Sequence, residues 1–309
     1  MAIKLKAVFL IPYVGSSDKD LTPQSEAKIF YQEYFYDADI VQILSKGFRG
    51  RMYVKDGIGM YITGEAKINA TMFTAALLNC DKFDLTDTKF ILCGCCGCAM
   101  EYGVVGDIYL ITSAVDYDLG HTADVRDKTN KTAITWYPNK KFSRYGHLDF
   151  DSEFVDWAYE ILKNDPVKTT LNAKNYMAKS FDNAPWAIRD PKLIKATSVT
   201  ADEYWKGIYA HKNAKFIVKY YGCENKYYAT EMENLAVGMV FKNYGRLKDL
   251  LVIRYAVNTD VFMAGQTPEI IWGDEEESFE NKTFDNFNDV IPVVSRCAFN
   301  MCWKIVDNL

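Results

Sequence analysis

The sequence lacks the features that mark several classes of protein. It has no excess of positive charge, because 36 Lys and Arg residues face 41 Asp and Glu residues, which gives a formal net charge of −5 and a pI near 5.4. No stripe of basic residues interleaved with aromatics is present, so we expect no nucleic-acid partner. No apolar run approaches the roughly 20 residues of a membrane-spanning helix. The sequence also has no internal repeat or low-complexity segment, and its composition is that of an ordinary folded protein.

The cysteines lack the spacing of a zinc site. Four of the eight lie in the run C-G-C-C-G-C (93–98), and no second spaced pair accompanies them. We therefore expect no metal and no other cofactor, and we interpret these thiols as small residues packed in a turn beneath a sheet. Crowded free thiols suit a reducing compartment.

The N-terminus, M-A-I-K-L-K-A-V-F-L-I-P-Y-V-G, superficially resembles a secretory signal, because two lysines precede a short apolar run. The run is brief and no small-x-small cleavage site clearly follows it. A buried first strand at 6–12 explains it at least as well. We therefore expect a cytoplasmic protein, with a secreted or periplasmic location as the alternative.

Alternating strand and helix patterns predict an α/β fold, in which helices cover both faces of a sheet. We expect one domain over residues 1–309. Helices are predicted at 25–35, 64–80, 154–162, 231–241 and 290–306. Strands are predicted at 6–12, 41–44, 51–54, 59–63, 88–92, 106–115, 192–200, 214–221 and 249–257. Residues 116–151 are polar and predict a long loop.

Three separated segments carry residues that could do chemistry. In L-C-G-C-C-G-C-A-M-E-Y-G-V-V-G-D-I-Y-L (92–110), a strand leads into a glycine turn, where Gly94 and Gly97 would let backbone N–H groups approach an anion or ribose oxygens. A-T-E-M-E-N-L-A-V-G-M-V-F (229–241) places Glu233 early in a helix, and a carboxylate can accept both hydroxyls of a ribose. L-V-I-R-Y-A-V-N-T-D (251–260) is a strand that ends in polar side chains, where α/β enzymes place ligand groups. Each segment alone also has a purely structural explanation. The glycines could form a simple turn, Glu233 could be an acidic residue that favours the helix dipole, and Asn258 could be a turn residue.

Taken together, these segments resemble those of the purine nucleoside permease (NUP) family, a branch of the nucleoside phosphorylase and nucleosidase superfamily. T-G-E-A-K-I-N-A (63–70), D-V-R-D (124–127) and T-A-D-E-Y-W-K-G (200–207) follow in the same order, so the likeness spans roughly residues 50 to 265. The resemblance implies a mixed β-sheet flanked by helices. It also implies an enzyme that cleaves the glycosidic bond of purine nucleosides, and a homo-oligomer.

The resemblance also implies roles for particular residues. Glu233 and Met232 would hold the ribose, and the charge-assisted bonds of Glu233 would strengthen as the sugar becomes an oxocarbenium-like cation. Asn258 with Asp260 would assist the departing purine. The remaining residues expected in the site are Val199 and Tyr204 at the base, with Trp205 as the alternative stacking ring, and Gly94, Cys95 and Gly97 at the nucleophile.

The identity of the nucleophile stays open at this stage. Hexameric purine nucleoside phosphorylases carry a phosphate-gripping Arg before the glycine segment, where this chain has Phe90, Ile91 and Leu92. Arg49 and Arg51 could reach a neighbouring subunit's phosphate site instead, and we expect phosphorolysis with inorganic phosphate as co-substrate. Glu26 is a candidate base for activating water in the alternative, a nucleoside hydrolase.

Two further alternatives remain. One is a nucleoside-binding protein linked to uptake, with little or no turnover. The other is a nucleosidase that acts on nucleotides, which would need a cation near the ribose 5′ position. The candidates for that cation are Arg126, His121 and Lys67.

Overall fold

A ten-stranded mixed β-sheet runs through the computed structural model, with helices on its faces. The structure describes residues 2–13, 25–43, 50–124, 134–268 and 289–309. None of the described helices is long and apolar enough to cross a membrane.

The strands of the described residues are, in chain order, β1 (Ile3–Lys4), β2 (Ala7–Ile11), β3 (Asp39–Gln42), β4 (Arg51–Lys55), β5 (Ile58–Ile62), β6 (Phe83–Asp84), β7 (Lys89–Cys98), β8 (Ile108–Asp116), β9 (Gly120–Thr122), β10 (Trp136–Pro138), β11 (His147–Asp149), β12 (Leu193–Thr200), β13 (Tyr227–Glu231) and β14 (Leu250–Thr259). The helices are α1 (Ala27–Phe30), α2 (Ala66–Leu78), α3 (Ser152–Leu162), α4 (Leu171–Ser180), α5 (Ile208–Tyr221), α6 (Asn234–Asn243) and α7 (Val290–Asp307). A π-helical turn (Tyr31–Phe35) continues α1, and short 3₁₀ turns span Ser143–Tyr145 and Leu247–Asp249.

The sheet follows the order β11-β8-β12-β13-β7-β2-β5-β4-β3, and β14 pairs with both β7 and β8. These two pairings close a ring of five strands, β7, β14, β8, β12 and β13. Ring closure explains why β7 and β14 are buried almost throughout. It also brings the last residues of β7, β13 and β14 together, because Gly97 pairs with Thr230 on one side and with Asn258 on the other.

An aromatic cluster fixes the C-terminal helix to the sheet. The ring of Phe9 on β2 packs against Phe30 and against Trp303 on α7, with centroids 5.0 and 5.6 Å apart. Phe299 stacks on Trp303 at 5.9 Å and meets Phe30 at 5.2 Å. Offset and edge-on contacts of this kind are favourable beyond the apolar area that they bury. α7 therefore covers the same part of the sheet as α1.

The fold class predicted from the sequence is confirmed, but four local predictions are wrong. Residues 214–221 belong to α5 rather than to a strand, because Ala214, Ile217 and Val218 recur at helical spacing and are all buried. The helix predicted over 231–241 begins at Asn234, and Glu231 instead ends β13. The stretch 116–151 contains the short strands β9, β10 and β11, and α4 was not predicted.

The fourth wrong prediction concerns the glycine turn at Gly94 and Gly97. β7 continues through both residues to Cys98, so no turn is present there. The glycines are still required for close approach. A Cβ atom on Gly94 would lie 2.5 Å from Nη1 of Arg254, and one on Gly97 would lie 2.8 Å from Oδ1 of Asn258.

Candidate active site

Arg254 is a charged residue in the middle of the buried, apolar strand β14, and only 1% of it is exposed. Each of its three guanidinium nitrogens donates a hydrogen bond, as a buried charge requires. Nη2 donates to Oε2 of Glu233 at 2.9 Å and lies 3.4 Å from Oε2 of Glu231. Nε donates to Oδ1 of Asn234 at 2.8 Å, and Nη1 donates to the carbonyl of Cys95 at 3.1 Å. Arg254 thus joins β7, β13 and the start of α6.

The segment between β13 and α6 is organised by Glu231. Its Oε2 accepts the backbone N–H groups of Glu233 and Asn234, each at 2.7 Å. These are donors at the start of α6, where no intrahelical acceptor exists. Glu231 therefore caps the helix and directs the side chain of Glu233 toward Arg254. Glu233 itself is 4% exposed, so the carboxylate on which the nucleoside hypothesis rests is buried.

Glu26 brings a third carboxylate to the same place, beside β7. Its Oε1 accepts the backbone N–H of Cys95 at 2.5 Å, and its Oε2 accepts that of Tyr13 at 3.0 Å. A Cβ atom on Gly94 would lie 2.9 Å from Glu26 Oε1, so this carboxylate packs directly on the β7 backbone. The sequence interpretation left the place of Glu26 open, and the structure puts it within the Arg254 cluster.

The start of α2 closes another side of the cluster. Ala66 donates its backbone N–H to Oε1 of Glu233 at 3.0 Å. It does so with φ of 65°, a left-handed conformation that costs a residue with a Cβ atom about 1–2 kcal/mol. Glu65, the residue before it, carries a carboxylate without a side-chain capping bond to the helix. Strain at this position is compensated by the contact with Glu233.

In this cluster three carboxyl groups share one guanidinium. Burial raises the pKa of Glu233 to about 7; Arg254 opposes the rise, and Glu231 and Glu26 add to it. Burial also raises the pKa of Glu26, against the influence of Arg254 and the Cys95 N–H. Burial alone would lower the pKa of Arg254, but the carboxylates of Glu233, Glu231 and Glu26 outweigh it and raise that pKa. The site is therefore suited to stabilise a positive charge.

At the end of β14, Asn258 lies beside the loop that joins β12 to α5. Its Nδ2 donates to the phenolic oxygen of Tyr204 at 2.9 Å. The ring of Tyr204 is 46% exposed, whereas Trp205 is buried and stacks on Tyr117 with centroids 4.9 Å apart. Of the two rings expected at the base, Tyr204 is thus the one next to Asn258.

Asp260 has a different environment from the one expected for a group that contacts the base. Its Oδ2 accepts the hydroxyl of Tyr227 at 2.8 Å and lies 2.7 Å from Nδ1 of His211, and its Oδ1 accepts the N–H of Met100 at 2.9 Å. The residue is 1% exposed. These contacts tie Asp260 to β13, to α5 and to the residues after β7, so it supports the end of β14.

The other predicted residues are placed as follows. Met232 is half-buried between β13 and α6, and Val199 is fully buried in β12, where it pairs with Thr230. Arg51 begins β4, which is three strands away from β7 along the sheet, about 14 Å at the usual strand spacing. Within one chain Arg51 therefore does not join the cluster. Arg49 lies outside the described residues.

Lys67 is engaged by acidic side chains, which removes it as a free cation for a 5′-phosphate. Its Nζ lies 3.0 Å from Oδ1 of Asp116, 2.7 Å from Oδ2 of Asp118 and 3.8 Å from Oδ2 of Asp202. Of the other candidates for that role, His121 is exposed on β9, and Arg126 lies outside the described residues. In the described part of the chain, no three His, Cys, Asp or Glu residues form a group that could hold a metal ion.

Sequence reasoning missed Arg254, Glu231 and Ala66. Arg254 had a signal, since a single charge in the run L-L-V-I-R-Y-A-V must be paired if the strand is buried. The signal for Glu231 was its place as the first of two glutamates in T-E-M-E-N. Ala66 had no signal, because the direction of a backbone N–H depends on the tertiary structure.

The fold is that of nucleosidases in the nucleoside phosphorylase class. The chain is similar to the 5′-methylthioadenosine/S-adenosylhomocysteine nucleosidase of Neisseria meningitidis, with a TM-score of 0.58 and 16% identity over 99% of this chain and 100% of that one. It is also similar to the corresponding nucleosidase of Helicobacter pylori, with a TM-score of 0.59 and 13% identity over 99% of each chain. The futalosine hydrolase of Helicobacter pylori matches with a TM-score of 0.57 and 14% identity over 99% of each chain.

The chain belongs to the purine nucleoside permease (NUP) family, whose model matches residues 8–297. A probable purine nucleoside permease of Schizosaccharomyces pombe is 26% identical over 164 residues, which are 48% of this chain and 47% of that protein. The match thus spans about half the length of this relative. Membership of the family confirms the resemblance drawn from the sequence motifs.

Proposed function

We propose that the protein cleaves the N-glycosidic bond of purine nucleosides and that water is the nucleophile. The observation that carries this proposal is the group of three buried glutamates, Glu26, Glu231 and Glu233, around Arg254. Once ionised, these carboxylates stabilise an oxocarbenium-like ribose and repel a phosphate dianion. The similar proteins of Neisseria meningitidis and Helicobacter pylori, a nucleosidase and a hydrolase, also favour this choice.

In the proposed reaction, Glu233 accepts the ribose hydroxyls, and Arg254 and the N–H of Ala66 hold its carboxylate in position. The water oxygen bonds to C1′ while Glu26 accepts a proton from that water. The bond between C1′ and N9 breaks, and its electron pair leaves with the purine. Asn258 has a second N–H on Nδ2, besides the one donated to Tyr204, and this can hydrogen-bond N7 of the leaving base. A proton from solvent then neutralises the purine.

Incubation of the full chain with inosine, guanosine and adenosine, with and without phosphate, tests this proposal by measuring the free base. We expect the base to appear without phosphate. Release only in the presence of phosphate would instead establish the phosphorolysis predicted from the sequence. A rise in thermal stability with nucleoside but no base would indicate a binding protein.

The variant Glu233→Gln should lower turnover about a hundredfold, because it removes the charge that faces the ribose. The exposed Glu160→Gln on α3 is a matched control that should keep wild-type turnover. Circular dichroism should show both variants folded. Near-normal turnover of Glu233→Gln would remove this residue from the site.

We also propose that the chain self-associates through α2. This helix carries the exposed apolar residues Ile68 (77%) and Met72 (45%), one turn apart on one face. The same helix presents Ala66 to Glu233, so an interface here would adjoin the site. Sedimentation velocity tests the proposal, and a single species with the mass of one chain would contradict it.

A further inference from the structure

A cavity of about 320 Å³ adjoins the Asn258 end of the site. Tyr204, which accepts the hydrogen bond from Asn258, lines this cavity together with Tyr117, Trp205 and Lys206. Its volume falls at the lower end of the range for small-molecule sites. The lining combines four aromatic side chains with polar ones, among them Glu203, Thr135 and Asn213. Such a mixture suits a flat ring that carries polar groups.

Lys206 is a cation in this wall, and it forms no ion pair with the residues that the structure describes. The only polar atom recorded near its Nζ among the described residues is Oε1 of Gln266, at 3.5 Å, the limit of a hydrogen bond. Gln266 Oε1 already accepts the N–H of Met263 at 2.9 Å. Burial lowers the pKa of Lys206 to about 8, and Cys98 and Asp260 only partly oppose this. A half-buried ammonium without a strong acceptor is stabilised when a bound ligand supplies one.

Backbone hydrogen bonds hold the segment of Lys206 against the end of β14, the strand that carries Asn258. Gly207, the next residue, donates its N–H to the carbonyl of Asp260 at 2.9 Å, and Asp260 donates its own N–H to the carbonyl of Cys98 at 3.0 Å. Lys206 thus precedes a residue that is bonded to Asp260, which directly follows β14 and lies two residues beyond Asn258. The buried indole Nε1 of Trp205 also lacks an acceptor among the described residues. Among the described residues, the cavity wall thus holds two poorly satisfied donors, Nζ of Lys206 and Nε1 of Trp205, and it also includes Glu203.

We propose that Lys206 selects the base by donating a hydrogen bond to O6, so that the preferred substrates are nucleosides of 6-oxopurines. This inference rests on the proposed function. Guanine and hypoxanthine present two acceptors, N7 and O6, on the edge that Asn258 and Lys206 would face, whereas adenine presents N7 and an amino donor. An ammonium carries only donors and would meet the adenine amino group unfavourably. The pairing of Asn258 with N7 and Lys206 with O6 discriminates between the two bases.

The test compares kcat/KM for inosine and adenosine in the wild-type chain, in Lys206→Met and in Lys212→Met. Lys212 is exposed on α5 and lies over the ring of Tyr209, so its variant is the matched control. We expect the wild type to prefer inosine about thirtyfold, the scale of one hydrogen bond to a charged donor. Lys206→Met should lower kcat/KM for inosine at least about tenfold more than for adenosine, and the control should keep the wild-type ratio.

A pH series adds a readout that a structural role would not change. The preference for inosine should decline as the pH rises past about 8, where the amine of Lys206 loses its charge. A wild-type preference for adenosine, or equal losses for both substrates in Lys206→Met, would overturn the inference. If the wild type cleaves neither nucleoside, the proposed function fails, and calorimetry with the free bases decides the inference separately. Hypoxanthine should then bind more tightly than adenine only when Lys206 is present, and equal binding would refute its role.

Discussion

Arg254 and Glu233 show how single residues create the candidate site. A guanidinium in the middle of β14 requires acceptors, and it finds them in Glu233, Asn234 and the carbonyl of Cys95. The same contacts hold the carboxylate of Glu233 away from bulk solvent. Positioning and charge stabilisation thus arise from one network, so the effects of changing its members should not be additive.

Ala66 supplies a prediction at the scale of one residue. Its φ of 65° is unfavourable for alanine, and glycine adopts it readily. Ala66→Gly should keep the N–H that Glu233 accepts and should therefore leave turnover within about twofold and the free energy of unfolding equal or about 1 kcal/mol higher. Urea unfolding and base release measure the two quantities.

The matched control is Ala70→Gly in the same helix. Ala70 is fully buried in the helix interior, so this variant should lower the free energy of unfolding by about 1 kcal/mol or more. If Ala66→Gly destabilised the protein as much as Ala70→Gly does, the backbone strain inferred at Ala66 would be incorrect.

At the scale of elements, Lys67 connects α2 to two other parts of the fold. Its amine contacts Asp116 at the end of β8 and Asp118 just after it, and its backbone N–H donates to Oδ1 of Asp202 at 2.7 Å. Asp202 lies in the loop before α5. Because Ala66 precedes Lys67, these contacts also fix the N–H that Glu233 accepts.

Lys67→Met should therefore lower the free energy of unfolding by about 1–3 kcal/mol, since it leaves the largely buried Asp116 without its cation. It should also lower kcat/KM at a temperature where the variant is fully folded, because α2 loses its attachment. Lys67→Arg keeps the charge, so it should retain much of the free energy of unfolding and of the kcat/KM that Lys67→Met loses. In the exposed pair Lys4 and Asp87, Lys4→Met should change neither quantity. Wild-type kcat/KM in Lys67→Met would show that the contacts do not position α2.

At the scale of the whole molecule, the buried acids make stability depend on pH. The pKa of Glu233 is raised to about 7, and the pKa values of Glu26, Glu65 and Asp116 are also raised, each chiefly by burial. The folded state thus binds more protons than the unfolded state above the ordinary glutamate pKa near 4.3. Stability contributed by these groups is complete below that value and is lost as the pH rises through about 7.

The unfolding temperature of the chain without nucleoside should accordingly fall by several degrees between about pH 5 and pH 7.5. Glu233→Gln removes one of these contributions and should show a smaller fall. Differential scanning calorimetry in buffers of matched ionic strength measures both. A wild-type unfolding temperature that rises over this interval would contradict the raised pKa values.

The nucleophile shows where the family resemblance and the structure lead to different expectations. The resemblance drawn from the motifs predicted phosphate as the nucleophile. The described residues near Glu233 instead present Glu26, and Arg51 lies three strands away from β7. The distribution of charge around Arg254 could not be predicted from the motifs, since it depends on which strands are neighbours.

The sequence by itself determined the α/β class, most of the strands and helices, and the family, because apolar periodicity and the spacing of short motifs are local properties. It also predicted Glu233 and Asn258 as residues of the site. Only the tertiary structure decided that Gly94 and Gly97 lie within a strand, that Glu26 joins the cluster and that Asp260 supports the end of β14. These facts depend on the ring of β7, β14, β8, β12 and β13, in which residues far apart in sequence become neighbours and compete for the same hydrogen bonds.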